Sequence, residues 1–252
     1  MKTSWDYTLL AKHYDKRADY PSKFIKKILK KIECHENYPV ADIGAGTGKL
    51  TKHLINNKLI VHAIEPNSEM LKYGKLNTKK LIGNFNWIKS IGEKTPINNK
   101  SIYALFFGSS FNVLNYKKML KEARRVLIDE GYMCCIWNHR DLKDNLQKNI
   151  ESIIKKKLKV YKYGDRRKNY LPFFKKLKFS KNSFTLKQRF LIKISKNNFI
   201  SAWKSHGTLR NNCKSNKQFI EIINEIKKLV NKKKNKSIIV PYEAVAYISK
   251  IT

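Results

Sequence analysis

The amino-acid sequence predicts an α/β fold in which helices cover both faces of a doubly wound, parallel β-sheet. Over the first 141 residues, short runs rich in β-branched residues alternate with amphipathic helical stretches, which is the pattern of such a sheet. A glycine-rich turn follows the first of these runs and opens a helix. The chain has 252 residues, of which 42% are hydrophobic, so it can build one such domain with an elaboration.

The predicted elements of the first 141 residues follow one another in the order expected for this fold. A helix over 21–33 begins at a proline and places its apolar residues on one face and its lysines on the other. In chain order, the next elements are a strand at 40–43, a helix at 48–56, a strand at 59–64, a helix at 67–76, strands at 86–89 and 102–107, a helix at 117–128 and a strand at 131–137.

The alternation ends after residue 140. A basic helix at 141–159 and a loop rich in tyrosine and lysine up to 179 precede a strand at 183–194, a helix at 217–231 and a closing strand at 237–248. The two late strands are expected to form an antiparallel hairpin at the sheet edge. We therefore expect a single domain over 1–252, with a core at about 21–141, 183–194 and 237–249 and cap elements at about 1–20, 142–180 and 195–235.

The net charge of +35 comes mainly from lysine. The chain has 46 Lys but only 8 Arg, together with 24 Asn and 28 Ile. Lys, Asn and Ile have A- and T-rich codons, so mutational bias explains much of the charge, whereas nucleic-acid sites rely on arginine. Residues 142–252 carry a net charge of +23 against +12 for residues 1–141. Nucleic acid is therefore disfavoured as a partner, and the C-terminal charge is the part that bears on ligand choice.

The cysteines and the N-terminus indicate an intracellular protein without a metal site. Cys34, Cys134, Cys135 and Cys213 form no CxxC pair, so they are expected to be reduced structural residues. No run approaches 18 apolar residues, so no membrane span is expected. The first twenty residues mix charged and aromatic side chains and lack the apolar core of a signal peptide, which predicts a cytoplasmic location.

The strongest functional motif is the segment 41–48, which reads ADIGAGTG between a predicted strand and a predicted helix. Glycines allow a sharp turn and let the backbone approach a ligand closely. Glu65 ends the second predicted strand, 23 residues after Asp42, where an acidic side chain accepts the hydroxyls of an adenosine ribose. Strand, glycine loop, helix, strand and acid in this order predict a nucleoside-cofactor site.

With these motifs the sequence resembles the class I S-adenosylmethionine (AdoMet)-dependent methyltransferases. More narrowly, it is similar to the small-molecule branch, methyltransferase type 11, that includes trans-aconitate methyltransferase-like proteins. The resemblance spans residues 14–141 and thins beyond them. Besides the glycine loop, the matching motifs are Tyr14–Pro21, Glu65–Met70, Glu93–Pro96, Arg125–Leu127 with Gly131, and Trp137–Asp141.

The resemblance implies a Rossmann-like, seven-stranded sheet with an antiparallel last strand and a helical and loop cap over the acceptor site. It implies AdoMet as cofactor and S-adenosyl-L-homocysteine (AdoHcy) as product. The implied cofactor-binding residues are Tyr14, Arg17, Asp42, Gly44, Ala45, Gly46, Gly48, Glu65, Pro66, Met70, Ile91, Gly92 and Phe107.

The family also implies a role for most of these residues. Asp42 and the glycines would line the methionine and ribose side, and Glu65 would hold the ribose. Pro66 or Met70 would pack near the adenine, with Ile91 and Gly92 in the adenine-contacting loop. Tyr14 and Arg17 are candidates for the methionine carboxylate and for a lid over the sulfonium.

The sequence departs from the family at three positions. Tyr103 stands where the family has an acidic residue near the start of its fourth strand, and Ile91 stands where it has an aspartate. Asn112-Val113 replaces a His-Trp pair. The first two changes imply fewer hydrogen bonds to the cofactor, and the third implies an altered acceptor pocket.

Methyl transfer requires alignment and exclusion of water, and a general base only when the acceptor must lose a proton. His139 and His206 are the candidate catalytic bases, and a merely hydrogen-bonded role is the alternative for each. Aromatic residues that could wall the pocket are Tyr161, Tyr163, Phe173 and Trp203.

The expected acceptor is a small molecule, anionic or carrier-bound. An RNA methyltransferase that uses the basic surface is one alternative, although Gly108–Phe111 replaces the Asn/Asp-Pro-Pro-aromatic motif of amino-methylating nucleic-acid enzymes. A catalytically inactive AdoMet-fold binding protein is the other.

Overall fold

The described part of the chain, residues 7–251 of a computed structural model, contains a seven-stranded β-sheet. Its strands are β1 (Pro39–Ile43), β2 (Ile60–Ile64), β3 (Phe85–Ile88), β4 (Ile102–Gly108), β5 (Leu127–Arg140), β6 (Ser180–Ser195) and β7 (Ser237–Ile251). Their order in space is β3-β2-β1-β4-β5-β7-β6. Residues 1–6 of the expected N-terminal cap segment, and residue 252, lie outside the described residues.

The first five strands are parallel, and β7 runs antiparallel to both β5 and β6. The predicted sheet class is therefore confirmed, including the antiparallel last strand and the late hairpin. The strand order reverses direction at β1, because β2 and β4 lie on its two sides. In sheets of this kind, ligands bind at such a switch point, outside the carboxyl ends of the strands.

Ten helices connect or cover these strands within residues 7–251. They are α1 (Ala11–Tyr14), α2 (Ser22–Lys31), α3 (Lys49–Asn56), α4 (Ser68–Thr78), α5 (Tyr116–Val126), α6 (Asn145–Lys157), α7 (Leu171–Lys175), α8 (Lys196–Lys204), α9 (Gly207–Asn212) and α10 (Asn216–Asn231). The predicted helix at 117–128 ends earlier, at Val126, because Leu127 turns to an extended conformation and pairs with Ile102 of β4. The pattern had not predicted α7, α8 and α9 as separate helices.

Hydrophobic cores lie on both faces of the sheet, since successive side chains of a strand point to opposite faces. On one face, Val40 and Phe106 pack against the apolar sides of α2 and α3. On the other face, Leu105 and Trp137 pack with α5 and with the segment around α7.

A third apolar cluster holds the cap together. It joins buried residues of α6, α8 and α10, such as Ile150, Trp203 and Ile222, to the first part of β7 at Ile238 and Val240. Because the start of β7 pairs with the end of β5, this cluster lies at the carboxyl edge of the parallel strands. The cap is thus anchored where the sheet places its ligand site.

Three further observations on residues 7–251 concern membrane spans, metal-binding clusters and cysteines. No described helix has the length and apolarity needed to cross a membrane. The described residues contain no cluster of His, Cys, Asp and Glu that could hold a metal ion. Cys34, Cys134 and Cys135 are buried free thiols, and burial raises the pKa of Cys34 to about 12.

Candidate active site

A cavity lies between the carboxyl edge of the sheet and the cap. Its floor comes from the end of β1 and the following glycine loop, from Gly108 at the end of β4 and Ser109 after it, and from the end of β5. The N-terminal segment around α1 and the cap segments around α6 and α8 form its walls. Residues 138–140, which the sequence matched to a family motif, belong to this lining.

The glycine loop turns in a way that only glycine tolerates easily. Gly44 and Gly46 have φ values of +68° and +60°, in the left-handed region. A Cβ on Gly44 would lie 2.7 Å from the Cβ of Ser110, and one on Gly46 would lie 3.1 Å from Cε of Met70. The backbone amides of Gly44 and Ala45 both donate to the carbonyl of Ile64, at 2.9 Å. The end of β2 therefore holds the loop in place.

Glu65 supports the same loop. Its carboxylate accepts hydrogen bonds from the amides of Gly46, at 2.8 Å, and Asn67, at 2.9 Å. Burial raises its pKa, and these two bonds act in the opposite direction. Glu65 and Met70 stand behind the loop, whereas Gly44, Ala45 and Gly46 face the cavity directly.

Asp42 is a buried carboxylate with one unused oxygen. Its Oδ2 accepts a hydrogen bond from the Thr51 hydroxyl at 2.7 Å, while its Oδ1 has no partner. The hydroxyl of Thr47, in the glycine loop, is also buried without a partner. Burial raises the pKa of Asp42 to about 7. Both residues line the cavity, so the sheet side offers unsatisfied polar atoms to a ligand.

The N-terminal segment closes one side of the cavity by binding the cap. Arg17 donates through Nε to the Ser205 hydroxyl at 2.9 Å and also to the Ser205 carbonyl, and its guanidinium lies over the Tyr14 ring. His13 Nδ1 lies 2.8 Å from the Ser201 hydroxyl. The structure therefore brings the predicted Tyr14 and Arg17 to the cavity, and the Arg17 guanidinium binds Ser205, the C-cap residue of α8.

The cavity concentrates arginine. Four of the eight arginines of the chain line it: Arg17, Arg140, Arg166 and Arg167. Arg140 lies over the Trp203 ring, with Cζ 3.7 Å from the ring centroid, and burial lowers its pKa to about 10. Among residues 7–251 none of the four forms an ion pair. Sequence reasoning named only Arg17 as a site residue.

Both predicted histidines line the cavity, but neither has the environment of a general base. Burial and the nearby Arg166 and Arg167 lower the pKa of His139 to about 3. His206 accepts a hydrogen bond through Nδ1 from the amide of Leu209 at 3.1 Å, and burial beside arginines lowers its pKa well below the usual value. Neutral His206 then carries its proton on Nε2, which makes it a hydrogen-bond donor.

Six of the thirteen predicted cofactor residues line the cavity, whereas seven do not: Gly48, Glu65, Pro66, Met70, Ile91, Gly92 and Phe107. Phe107 is fully buried and packs edge-on against Phe111 in the core on the α5 face. A Cβ on Gly92 would lie 2.4 Å from Cγ2 of Ile43, so this glycine serves close packing beneath the loop. Ile91 lines a separate surface groove with residues of α5.

The family departures have structural explanations. Tyr103 donates its hydroxyl to the carbonyl of Ile32 at 2.6 Å, at the opposite end of the sheet from the cavity. Asn112 accepts a hydrogen bond from Nε1 of Trp137 at 3.0 Å. Of the four aromatic candidates, Tyr161, Tyr163 and Trp203 line the cavity, whereas Phe173 packs in the core.

Comparison with known proteins supports the fold and the motif. The segment of residues 41–135 matches the family model described as methyltransferase domain. An uncharacterized methyltransferase of Mycobacterium tuberculosis is 30% identical over 102 residues, 40% of each chain. Ribosomal RNA small subunit methyltransferase A of Borrelia garinii is 28% identical over 235 residues, 85% of this chain and 73% of that protein.

Solved structures agree with the sheet order. The chain superimposes on a proposed type II methyltransferase from Anaeromyxobacter dehalogenans with a TM-score of 0.59 and 12% identity, covering 93% of this chain and 97% of that one. The fold is that of a solved structure described as a methyltransferase. Residues 41–135 match a methyltransferase domain, as the motifs in this segment predicted. It aligns with only about two fifths of the length of the mycobacterial relatives.

Proposed function

We propose that the protein transfers a methyl group from AdoMet to a small anionic acceptor. The observation that carries this proposal is the unpartnered Oδ1 of Asp42 in the wall of the cavity, beside a glycine loop braced by Glu65. A buried acceptor atom of this kind is costly unless a ligand donates to it.

The residues present fit AdoMet. The α-ammonium of its methionine part is the cation that Asp42 lacks, and Glu65, behind the loop, fixes the backbone of Gly46 that would face the ribose. Gly44 and Gly46 line the cavity with bare backbone, and a Cβ on either glycine would press against Ser110 or Met70. When bound, AdoMet supplies a methyl group already activated by the positive sulfur.

The chain supplies alignment and exclusion of water. The N-terminal segment, tied to Ser201 and Ser205, covers the cavity from one side, and the cap covers it from the other. An in-line displacement needs the acceptor atom held close to the methyl carbon and little bulk water around it.

An acceptor that arrives already ionised fits the electrostatics best. His139 and His206 are both neutral and poor bases in their cationic surroundings, so neither histidine is suited to remove a proton with a high pKa. The four lining arginines lower the free energy of a bound anion. An ionised carboxylate, for example, needs no base before methylation.

Calorimetry with AdoMet and AdoHcy tests the proposal. Stoichiometric binding to the protein, lost in Asp42→Asn, is the expected result. Lys31→Gln is a matched control, since Lys31 lies on the exposed side of α2, far from the glycine loop. If neither AdoMet nor AdoHcy binds, the alternative of a catalytically inactive binding protein with this fold is favoured.

RNA methylation is the second candidate, favoured by the net charge of +35 and by the similarity to a ribosomal RNA methyltransferase. If it were correct, affinity for ribosomal RNA should persist at physiological salt with a steep salt dependence. Retention of RNA on the purified protein at that ionic strength would replace the small-molecule proposal.

A further inference from the structure

The unsatisfied polar atoms of the cavity divide by chemical type. Five side-chain atoms among residues 7–251 are buried without a partner, and all five belong to residues that line this cavity. Two are carboxylate or amide oxygens on strands, Asp42 Oδ1 and Asn138 Oδ1, and one is the Thr47 hydroxyl. The other two are N–H donors on the cap, Gln147 Nε2 and Trp203 Nε1.

We infer that Gln147, Trp203 and Arg140 form an oxyanion site at the cap end of the cavity, which binds a carboxylate or phosphate group of the acceptor. This inference rests on the proposed function for the ligand's role as acceptor. The site itself is defined by its donors alone.

The two donors are built into the cap, so they cannot reach water by moving. Gln147 and Trp203 are each only 2% exposed. Gln147 lies in the first turn of α6, where Asp144 caps its backbone amide at 3.0 Å, and Trp203 belongs to the apolar cluster that joins α8 to α6 and α10. Leaving a buried N–H unpaired is unfavourable, so both atoms indicate a missing acceptor atom.

Arg140 adds positive charge at the same place. Its guanidinium stacks on one aromatic surface of Trp203, and the ring of His206 also stacks on Trp203, with centroids 4.9 Å apart and planes 18° apart. Arg140 lies within no ion pair of the described residues, and stacking leaves its in-plane N–H groups directed outward. Two neutral donors and one unpaired guanidinium together match the oxygens of a carboxylate or phosphate.

The positions of the unpaired acceptor and donor atoms indicate where the cofactor and the methyl acceptor would each bind. The acceptor oxygen of Asp42 faces the part of the cavity beside the glycine loop, where a cation fits. The donors lie on the cap, where an anion fits. An anionic acceptor anchored by the cap would then extend toward the glycine loop, and the anchoring group would select which molecules enter.

Direct binding of simple anions tests this site without knowledge of the acceptor. Inorganic phosphate and malonate are titrated calorimetrically, in separate experiments, into protein saturated with AdoHcy and into protein without it. Trp203→Phe removes the N–H and keeps a ring for Arg140 to stack on, and Gln147→Met removes the amide at nearly constant length. Each variant should weaken anion binding on the order of tenfold, since a hydrogen bond to a charged group is lost.

Trp87→Phe and Gln218→Met are the matched controls, because Trp87 donates to Thr78 and Gln218 donates to the carbonyl of Lys157, both outside the cavity. Near-ultraviolet circular dichroism of all four variants checks folding. Tighter binding of phosphate than of malonate, or the reverse, identifies the group that the site selects.

The inference is overturned if neither anion binds, or if both cap variants bind as the controls do. AdoHcy binding is measured in the same preparations, so a failure of the proposed methyl-transfer function can be distinguished from a failure of the oxyanion site. Anion binding that depends on Trp203 and Gln147 in a protein that does not bind AdoHcy would leave the oxyanion site standing and remove the methyl-transfer role.

Discussion

At the scale of single residues, the raised pKa of Asp42 makes the stability of the fold depend on pH. Its pKa in the folded protein is about 7, against 3.8 for the unperturbed carboxyl, and burial is the main cause. Because the folded state holds this proton more tightly than the unfolded chain, folding loses stability as pH rises from about 3.8 to about 7. A bound ammonium group would reverse the loss by favouring the ionised carboxylate.

We therefore expect Asp42→Asn to stabilise the ligand-free protein at pH 8 by about 2–4 kcal/mol, because a shift of roughly three pKa units corresponds to about 4 kcal/mol. The gain should shrink at pH 5, where Asp42 of the native protein is already mostly protonated. Urea unfolding at the two pH values measures the difference. A variant that is less stable than the native protein at pH 8 would show that Asp42 is satisfied within the fold.

His139 provides a second residue-scale prediction. Its pKa of about 3 is set by burial first and then by Arg166, Arg167 and Lys187. We expect its ring to remain neutral down to about pH 4 in a proton NMR titration. Arg166→Gln should raise the pKa of His139 by roughly one unit, because a nearby like charge is removed. Titration of His139 near its usual value in the native protein would contradict the buried, cationic environment.

The sequence predicted part of this site for reasons visible at single residues. The glycine loop, Asp42 and Glu65 belong to one short ordered motif, so the order of the elements and the spacing predicted them as candidates. Arg140 stands next to a predicted histidine, whereas Arg166 and Arg167 lie in the cap stretch that was predicted as a loop rich in tyrosine and lysine. Their role depends on how the cap folds back over the sheet, and no local pattern encodes that contact.

At the scale of elements, both the backbone φ and the lack of steric room favour glycine in the loop between β1 and α3. Gly44 and Gly164 have nearly the same φ, +68° and +65°. A Cβ on Gly44 would meet Ser110, which is held by its hydroxyl on the carbonyl of Ile43, whereas a Cβ on Gly164 would meet nothing within 4 Å.

Alanine substitutions at Gly44 and Gly164 distinguish the energetic cost of backbone strain from the cost of overpacking. We expect Gly164→Ala to cost about 1 kcal/mol, for the left-handed conformation alone. Gly44→Ala should cost about 2–4 kcal/mol, because overpacking adds to the same strain. Chemical denaturation of both variants measures these values, and equal losses would mean that Ser110 moves aside freely.

The observed boundaries show which strands and helices can be predicted from the period of the apolar residues alone. Strand β1 and helix α10 lie within a few residues of their predicted positions, since each has a clear apolar pattern and a turn or cap at its ends. Helices α8 and α9 were not predicted, because each is short and Ser205 and His206 interrupt the pattern between them. His206 caps α9 through its side chain, a role that histidine rarely signals in a sequence.

At the scale of the whole molecule, the two cationic residue types have different distributions. Four of eight arginines line the cavity, whereas Lys49 is the single lysine among its lining residues within 7–251. Most lysines, such as Lys232, Lys233 and Lys234, are exposed and belong to none of the ion pairs of the described residues. This distribution agrees with a lysine content set by codon bias and an arginine content set by the ligand.

The exposed lysines should make stability depend on ionic strength. With 54 cationic and 19 acidic side chains, the folded chain repels itself, and salt screens this repulsion over about 10 Å at 0.1 M. We expect Tm to rise by about 2–4 °C when NaCl is raised from about 0.02 to 0.3 M, the shift that roughly 1 kcal/mol produces in a chain of this size.

The triple variant Lys232→Gln, Lys233→Gln, Lys234→Gln tests the cause, since it removes three adjacent exposed charges at the end of α10 without touching the cavity. Its Tm at low salt should exceed that of the native protein, and its rise with NaCl should be smaller. Its affinity for AdoHcy should be unchanged, whereas Arg140→Gln should lower phosphate affinity at every salt concentration. If the triple variant instead loses AdoHcy or phosphate binding, the surface lysines take part in ligand recognition, and the division between lysine and arginine does not hold.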